Sequence, residues 1–412
     1  MTRPAIPNRR PAFAQWTSFS NDITQQFLAI GGRPDVVSMA GGLPAAEFYP
    51  TQAMERAAQD ALVRWGASAL EYGPVEGLRA LRAHIAERMG RQSGRRFGVE
   101  NVLITAGAMQ GLDLVGKVLV DPGERVVAQY PTYVGALDAW RPRSPAYDPL
   151  DWTPDGRTTV DRLAAAKFVY AVPNYSNPTG VLVPTAHRQA LLEKAMRAGT
   201  WLLEDDPYLP LQYDMPAGPS ILALHAAMEP GGTYGGPVIY LGTLSKSIAP
   251  GLRIGWVIAA PDMIQALAIA KQSADLAGSQ FNQAVALELL ESGLEDRHVP
   301  TIVDQYRIRR DALCDAARAE LSEWFEWETP PGGMFVWMRS RDAAIDTDRL
   351  YTVALAEKVA FVPGSVFDPA GAARTAMRVN FTRNPAETLR EGVGRLARAT
   401  RLYLGANATA GE

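Results

Sequence analysis

Apolar, β-rich runs at Asn101–Thr105, Arg125–Gln129, Phe168–Val172, Thr200–Glu204, Val238–Leu241 and Gly255–Ala259 alternate with helical patterns such as Met109–Val120 and Tyr133–Arg141. A strand followed by a helix and then another strand returns to the same sheet only by a crossover, so this order predicts an α/β fold: a mostly parallel sheet with helices on its faces. Gly and Pro punctuate the alternation, as at Asp121-Pro-Gly123, and Gly41-Gly-Leu-Pro44 reads as a turn. Thr51–Trp65, with Thr51 as its N-cap, and Gly77–Arg91 read as helices.

After Gln283–Ser292 the pattern changes. A long helix through Val303–Glu320 leads into short strands at Gly333–Met338 and Met377–Phe381, with helices at Thr347–Val359 and Ala386–Leu404. The expected organisation is an arm over residues 1–45, with a short helix at Asp22–Ile30, a large α/β domain over 46–292, and a smaller α+β domain over 293–412. At 412 residues, 47% hydrophobic and 21% charged, the chain can bury cores of that size.

Bulk charge removes other classes. A net charge of −3 offers no basic footprint for nucleic acid. Cys314 is the only cysteine, so no intrachain disulfide forms, and a reducing compartment is expected. No segment reads as a signal peptide or a bilayer span, which points to a soluble, cytoplasmic protein. The four histidines, His84, His187, His225 and His298, lack metal-ligand spacing, and no metal is expected.

Lysine is scarce, with six in the chain, and Lys246 is set apart from the other five. It sits in Gly242-Thr-Leu-Ser-Lys-Ser-Ile-Ala-Pro-Gly251, directly after an apolar run, among hydroxyls and seven residues before Arg253. A lysine beside a guanidinium, in a pocket that disfavours charge, becomes a usable nucleophile; a surface loop lysine is the plainer alternative. Ile104-Thr-Ala-Gly-Ala-Met-Gln110 is a strand opening into a helix, which suits an anion cradle or simply a tight turn. Asn174-Tyr-Ser-Asn-Pro-Thr-Gly180 is a Pro/Gly turn rich in Asn. Glu204-Asp-Asp-Pro-Tyr208 ends a strand in carboxylates, which are either solvated or buried against a cation. Arg378, inside an apolar strand, faces solvent or clamps a carboxylate.

Together, Tyr72-Gly-Pro-x-Glu-Gly77, Thr105-x-Gly107, Pro131-Thr-Tyr133, Asn177-Pro-Thr-Gly180, Asp205-x-x-Tyr208, Ser245-Lys246, Gly251-x-Arg253-x-Gly255 and Arg378 resemble the class I/II aminotransferases of fold type I, which use pyridoxal 5'-phosphate. Ser38-Met-Ala-Gly-Gly-Leu-Pro44 and Glu204-Asp-Asp-Pro-Tyr208 are most similar to the 2-aminoadipate, kynurenine and aromatic branch. The resemblance implies that Lys246 holds the cofactor as a Schiff base and then moves the α-proton. Asp205 keeps the pyridine nitrogen protonated, Tyr208 and Asn177 bond the ring oxygen, and Tyr133 stacks on the ring. Gly107, Ala108 and Met109, through their amides, hold the phosphate with Thr243, Ser245 and Arg253. Arg378 binds the substrate α-carboxylate, Gly41 and Gly42 line the entrance, and Tyr72 reaches the phosphate from a second subunit of a homodimer.

Two departures stand out, the first at the cofactor phosphate and the second at the substrate side chain. Ala108-Met109 stands where relatives often have Ser-Gln, so one phosphate hydroxyl is missing. Neither Asp22–Ile30 nor Ala274–Ser279 offers a basic residue for an acidic side chain, which favours neutral, apolar or aromatic L-amino acids, with 2-oxoglutarate or pyruvate as acceptor. Two other functions compete: elimination or decarboxylation on the same scaffold, and a non-catalytic effector module of the kind some transcription factors carry. The latter pairs with a basic DNA-binding domain, for which there is no room before Gly41.

Overall fold

A computed structural model describes residues 13–14, 16–17, 33–229 and 231–410, so the expected helix at Asp22–Ile30 lies outside the described residues. The arm supplies strand β1 (Val37–Ser38). The next seven strands are β2 (Val102–Thr105), β3 (Arg125–Gln129), β4 (Ala146–Leu150), β5 (Phe168–Ala171), β6 (Trp201–Asp205), β7 (Val238–Thr243) and β8 (Gly255–Ile258). They form one sheet in the order β2-β8-β7-β6-β5-β3-β4. Only β8 runs against its neighbours. Residues throughout β2, β5, β7 and β8 are buried, because helices cover both faces, and that is why they read as unbroken apolar runs.

The C-terminal strands are β9 (Phe325–Glu326), β10 (Phe335–Ser340), β11 (Val359–Ala360), β12 (Val362–Pro363) and β13 (Ala376–Asn380). Four of them make an antiparallel sheet in the order β12-β13-β10-β9, and β11 pairs in parallel with β1. That pairing anchors the arm: Met39 donates to the Ala360 carbonyl at 2.8 Å, and Asn380 donates to the Met39 carbonyl at 2.8 Å. One continuous cluster of buried side chains includes Leu241 and Tyr208 on one side and Phe335 and Val379 on the other, so both sheets share a core.

Several local expectations shift. Thr51 opens its helix, Thr51–Trp65, but does not cap it; Pro50 holds the cap position and no side chain bonds there. Gly41–Pro44 carries no turn and runs as an irregular segment into the site. The long helix starts at Leu294 and continues through Pro300, because buried Ile302, Tyr306 and Leu313 reward its packing despite the missing N–H. Strand β4, Ala-Tyr-Asp-Pro-Leu, has no apolar run because it is a partly exposed edge, where Pro and Asp are tolerated.

Candidate active site

Chemistry gathers at one edge of the seven-stranded sheet. Parallel strands β2, β3, β5, β6 and β7 end there, and the reversed β8 begins there, so each strand delivers its adjoining loop to a common place.

Strand β6 ends in carboxylates, and side chains alternate across a sheet. Glu204 and Asp206 turn away from the cavity at this edge. Glu204 accepts from the backbone N–H of Ile221 and Leu222 at 2.8 and 2.9 Å, at the start of the helix Ile221–Met228. Asp206 accepts from Asn174 Nδ2 at 2.9 Å and from the Tyr240 hydroxyl at 3.2 Å. Arg188, itself buried, donates to Asn174 Oδ1 at 2.7 Å and brings a cation near both. Asp205 faces the cavity. Its Oδ2 accepts from Tyr170 at 2.8 Å, while its buried Oδ1 has no partner. Burial pushes its carboxyl up to about 7, against the pull of the Tyr170 bond.

Lys246 follows β7 and points its Nζ at the Gly42 carbonyl, 2.9 Å away. Burial first, then the nearby charges of Arg378 and Arg253, lower its amine to about 8. Thr243 Oγ1 lies 2.9 Å from Ser245 Oγ and donates to the Ile254 carbonyl at 3.0 Å. Arg253 donates to the Ala106 carbonyl at 2.8 Å, closing β8 against the end of β2. Gly107, at φ +80°, permits that approach: a Cβ there would lie 2.6 Å from the Arg253 guanidinium. The helix Ala108–Leu119 starts immediately beyond with no side-chain cap, and the first N–H groups of a helix have no partner within it.

Arg378 comes from β13, where it pairs in register with Trp337. It is buried, not solvated. Its guanidinium donates to Asn177 Oδ1 at 2.7 Å and to the Ala40 carbonyl at 2.6 Å. It lies 4.2 Å from the Phe335 ring centroid and 4.8 Å from that of Phe367. Burial lowers it to about 10. Tyr133 precedes the helix Val134–Trp140, and burial raises its hydroxyl to about 12; Tyr208 is pushed up further by the same cause.

Gly41, Gly42, Ala108, Met109, Tyr133, Asn177, Asp205, Tyr208, Thr243, Ser245, Lys246, Arg253 and Arg378 border one cavity of about 450 Å³. Gly107 adjoins it through Arg253. Tyr72 does not border it and stands 79% exposed on the surface. Sequence reasoning missed Tyr170, the partner of Asp205, although a hydroxyl inside the apolar run of β5 was the available signal. It also missed the opposite wall, Val134, Asp138, Val362, Val366 and Phe367, which no local motif announces. Among the described residues no His, Cys, Asp and Glu cluster could hold a metal, and no helix is long and apolar enough to cross a membrane.

Comparison with known proteins shows the family of the chain. The model of the family "Aminotransferase class I and II" matches residues 37–396. The chain is 38% identical over 386 residues to the aromatic-amino-acid aminotransferase 1 of Thermococcus litoralis, covering 90% of each chain. It is 38% identical over 381 residues to the 2-aminoadipate transaminase of Thermus thermophilus, covering 91% of this chain and 92% of the relative. The crystal structure of the α-aminoadipate aminotransferase LysN of Thermus thermophilus, complexed with N-(5'-phosphopyridoxyl)-L-leucine, superposes with a TM-score of 0.85 at 35% identity, covering 95% of this chain and 98% of that one. With the family's fold and most of the chain matched, this protein belongs to the class I and II aminotransferases.

Proposed function

We propose that the chain moves the amino group of a neutral, apolar or aromatic L-amino acid to a 2-oxo acid by a ping-pong mechanism, with pyridoxal 5'-phosphate seated in the 450 Å³ cavity. One observation carries the reading: the Lys246 amine and the unpartnered Oδ1 of Asp205 border the same cavity from the ends of neighbouring strands, with Arg378 bordering it from the other sheet.

The residues fit the cofactor. Asp205 offers a buried oxygen without a partner, which suits a protonated ring nitrogen. The start of the helix Ala108–Leu119, with Gly107, Thr243, Ser245 and Arg253, suits a phosphate. Ala108 and Met109 carry no hydroxyl, so their backbone amides hold that corner. When bound, pyridoxal phosphate supplies an electron sink for the pair left when the substrate's Cα–H bond breaks.

Everything else falls to the chain. Arg378 takes the α-carboxylate, which fixes the Cα bond that breaks. Lys246, with its amine lowered to about 8, is neutral often enough near neutral pH to take the proton from Cα and return it. With the cofactor bound, Asp205 would keep a positive charge on the ring nitrogen, Tyr133 would stack on the ring, and Tyr208 and Asn177 would bond its oxygen. Gly41 and Gly42 border the entrance. Leu43, Val134, Val362, Val366 and Phe367 give the cavity an apolar wall, where an uncharged side chain sheds water at little cost. The proposed acceptor is 2-oxoglutarate or pyruvate. The proposed unit is a cytoplasmic homodimer in which the exposed Tyr72 completes the partner's phosphate site, each chain divided near residue 292.

The test is a half-reaction. Protein loaded with pyridoxal phosphate is mixed with L-amino acids and no 2-oxo acid. Bleaching of the yellow cofactor with one 2-oxo acid released per site supports transamination; ammonia or carbon dioxide without bleaching points to elimination or decarboxylation instead.

A further inference from the structure

Lys246, Asp205, Arg253 and Arg378 are all occupied by the chemistry above. One more charged residue borders the cavity: Asp138. It sits on the helix Val134–Trp140, one turn beyond Val134, and residues four apart share a helix face. Val134 packs on the buried cluster that includes Val362, Val366 and Phe367, so this face of the helix looks onto the apolar wall. A single carboxylate therefore stands at the edge of an otherwise apolar subsite. Arg141, which does not border the cavity, donates to Asp138 Oδ1 at 2.6 Å and holds the carboxylate from behind. Burial raises the carboxyl and Arg141 opposes the rise.

We propose that Asp138 is a specificity-determining residue: it disfavours donors whose side chain carries a second carboxylate and favours those whose side chain ends in a hydrogen-bond donor. The inference rests on the aminotransferase reading and names its substrate class more closely. A distal carboxylate entering this subsite meets a like charge before it meets Arg141, and like charges in a partly desolvated space repel strongly. A phenolic hydroxyl or ring amino group instead gains a charge-assisted bond. A site built to bond such a group discriminates against the analogue that lacks it. Donors with a polar-tipped aromatic side chain are thus preferred over plain aromatic ones, and both over acidic ones; because the 2-oxo acid enters the same subsite, pyruvate is likewise preferred over 2-oxoglutarate as acceptor.

Half-reaction kcat/KM values are measured on the holoenzyme for tyrosine, phenylalanine, glutamate and 2-aminoadipate, in the wild type and in Asp138→Asn and Arg141→Gln. In Asp138→Asn the 2-aminoadipate to phenylalanine ratio is expected to rise about tenfold, or about 1.4 kcal/mol, mostly through KM. The tyrosine to phenylalanine ratio is expected to fall. Arg141→Gln, which leaves Asp138 without its cation, is expected to move the acidic ratio the opposite way. This second variant separates repulsion by Asp138 from attraction by a released Arg141. Unchanged ratios, or one common factor for all four donors, overturn the inference while leaving transamination standing. A wild type that bleaches with none of the four overturns the aminotransferase reading, and the inference with it.

Discussion

The hydroxyl of Tyr170 donates to Oδ2 of Asp205 at 2.8 Å, and both side chains are buried. The two residues lie on adjacent parallel strands, β5 and β6, so the sheet itself sets their spacing. Tyr170 thereby fixes one carboxylate oxygen, and the other is left without a partner, as its proposed role toward the ring nitrogen requires.

Tyr170→Phe removes the bond and keeps the ring. The carboxylate becomes more basic and holds the shared proton more tightly, which weakens the positive charge on the ring. A hydrogen bond to a charged group is worth about 1.5 kcal/mol or more, so the half-reaction rate is expected to fall about tenfold with folding intact. Stopped-flow bleaching with a saturating donor measures it; a wild-type rate would show that Tyr170 only fills space.

Asp205→Asn tests the cost of that buried carboxyl. Folding raises it from 3.8 to about 7 when no cation is present. A group raised in this way contributes its stability below its unfolded value and loses it as pH rises through the folded one. Freed of cofactor, the variant is therefore expected to match the wild type near pH 4 and to melt a few degrees higher by pH 8. Thermal melts across that range check the sign. Bound pyridoxal phosphate is expected to reverse the order, because in the proposed site only the carboxylate would answer its ring nitrogen.

Much of this site can be read along the chain, because each strand end carries its own residues. Gly107, Asn177, Asp205 and Lys246 stand in short segments of small or polar residues directly after apolar runs, and the fold brings those ends to one edge. Only the family resemblance implies a role for each of them, since a strand end alone does not specify its ligand. Relations across long stretches of sequence stay hidden. Nothing near Arg378 indicates that it is buried between Phe335 and Phe367 and bonded to Asn177, 201 positions earlier. Tyr170 is masked by the apolar run around it, and Asp138 looks like an ordinary surface position on a short helix. Strand β4 escapes because an edge strand need not be apolar, and the start of the helix Leu294–Glu320 escapes because Pro300 mimics a boundary.

Arg378→Lys keeps a charge but loses the planar fork that meets Asn177 and the Ala40 carbonyl together. Losing one charge-assisted bond of about 1.5–3 kcal/mol is expected to raise KM roughly ten- to hundredfold for donor and acceptor alike. The visible spectrum of the resting enzyme should stay close to that of the wild type. Steady-state kinetics over both substrates decide it, and a KM change confined to one substrate would argue against a shared carboxylate clamp.

Gly42→Ala acts at a distance. The new Cβ would lie 2.9 Å from Phe335 Cζ, so the ring must shift, and this ring supports the Arg378 guanidinium. A several-fold rise in KM, with kcat changed less, is the expected outcome in the same assay.

Lys246, alone among the six lysines, is expected to carry the cofactor. Borohydride reduction of the pyridoxal phosphate-loaded protein, followed by digestion and mass spectrometry, tests it directly. One phosphopyridoxyl group per chain is expected on the peptide containing Lys246, and none in Lys246→Ala. A stoichiometric label on any other lysine, or an unlabelled protein, would contradict it.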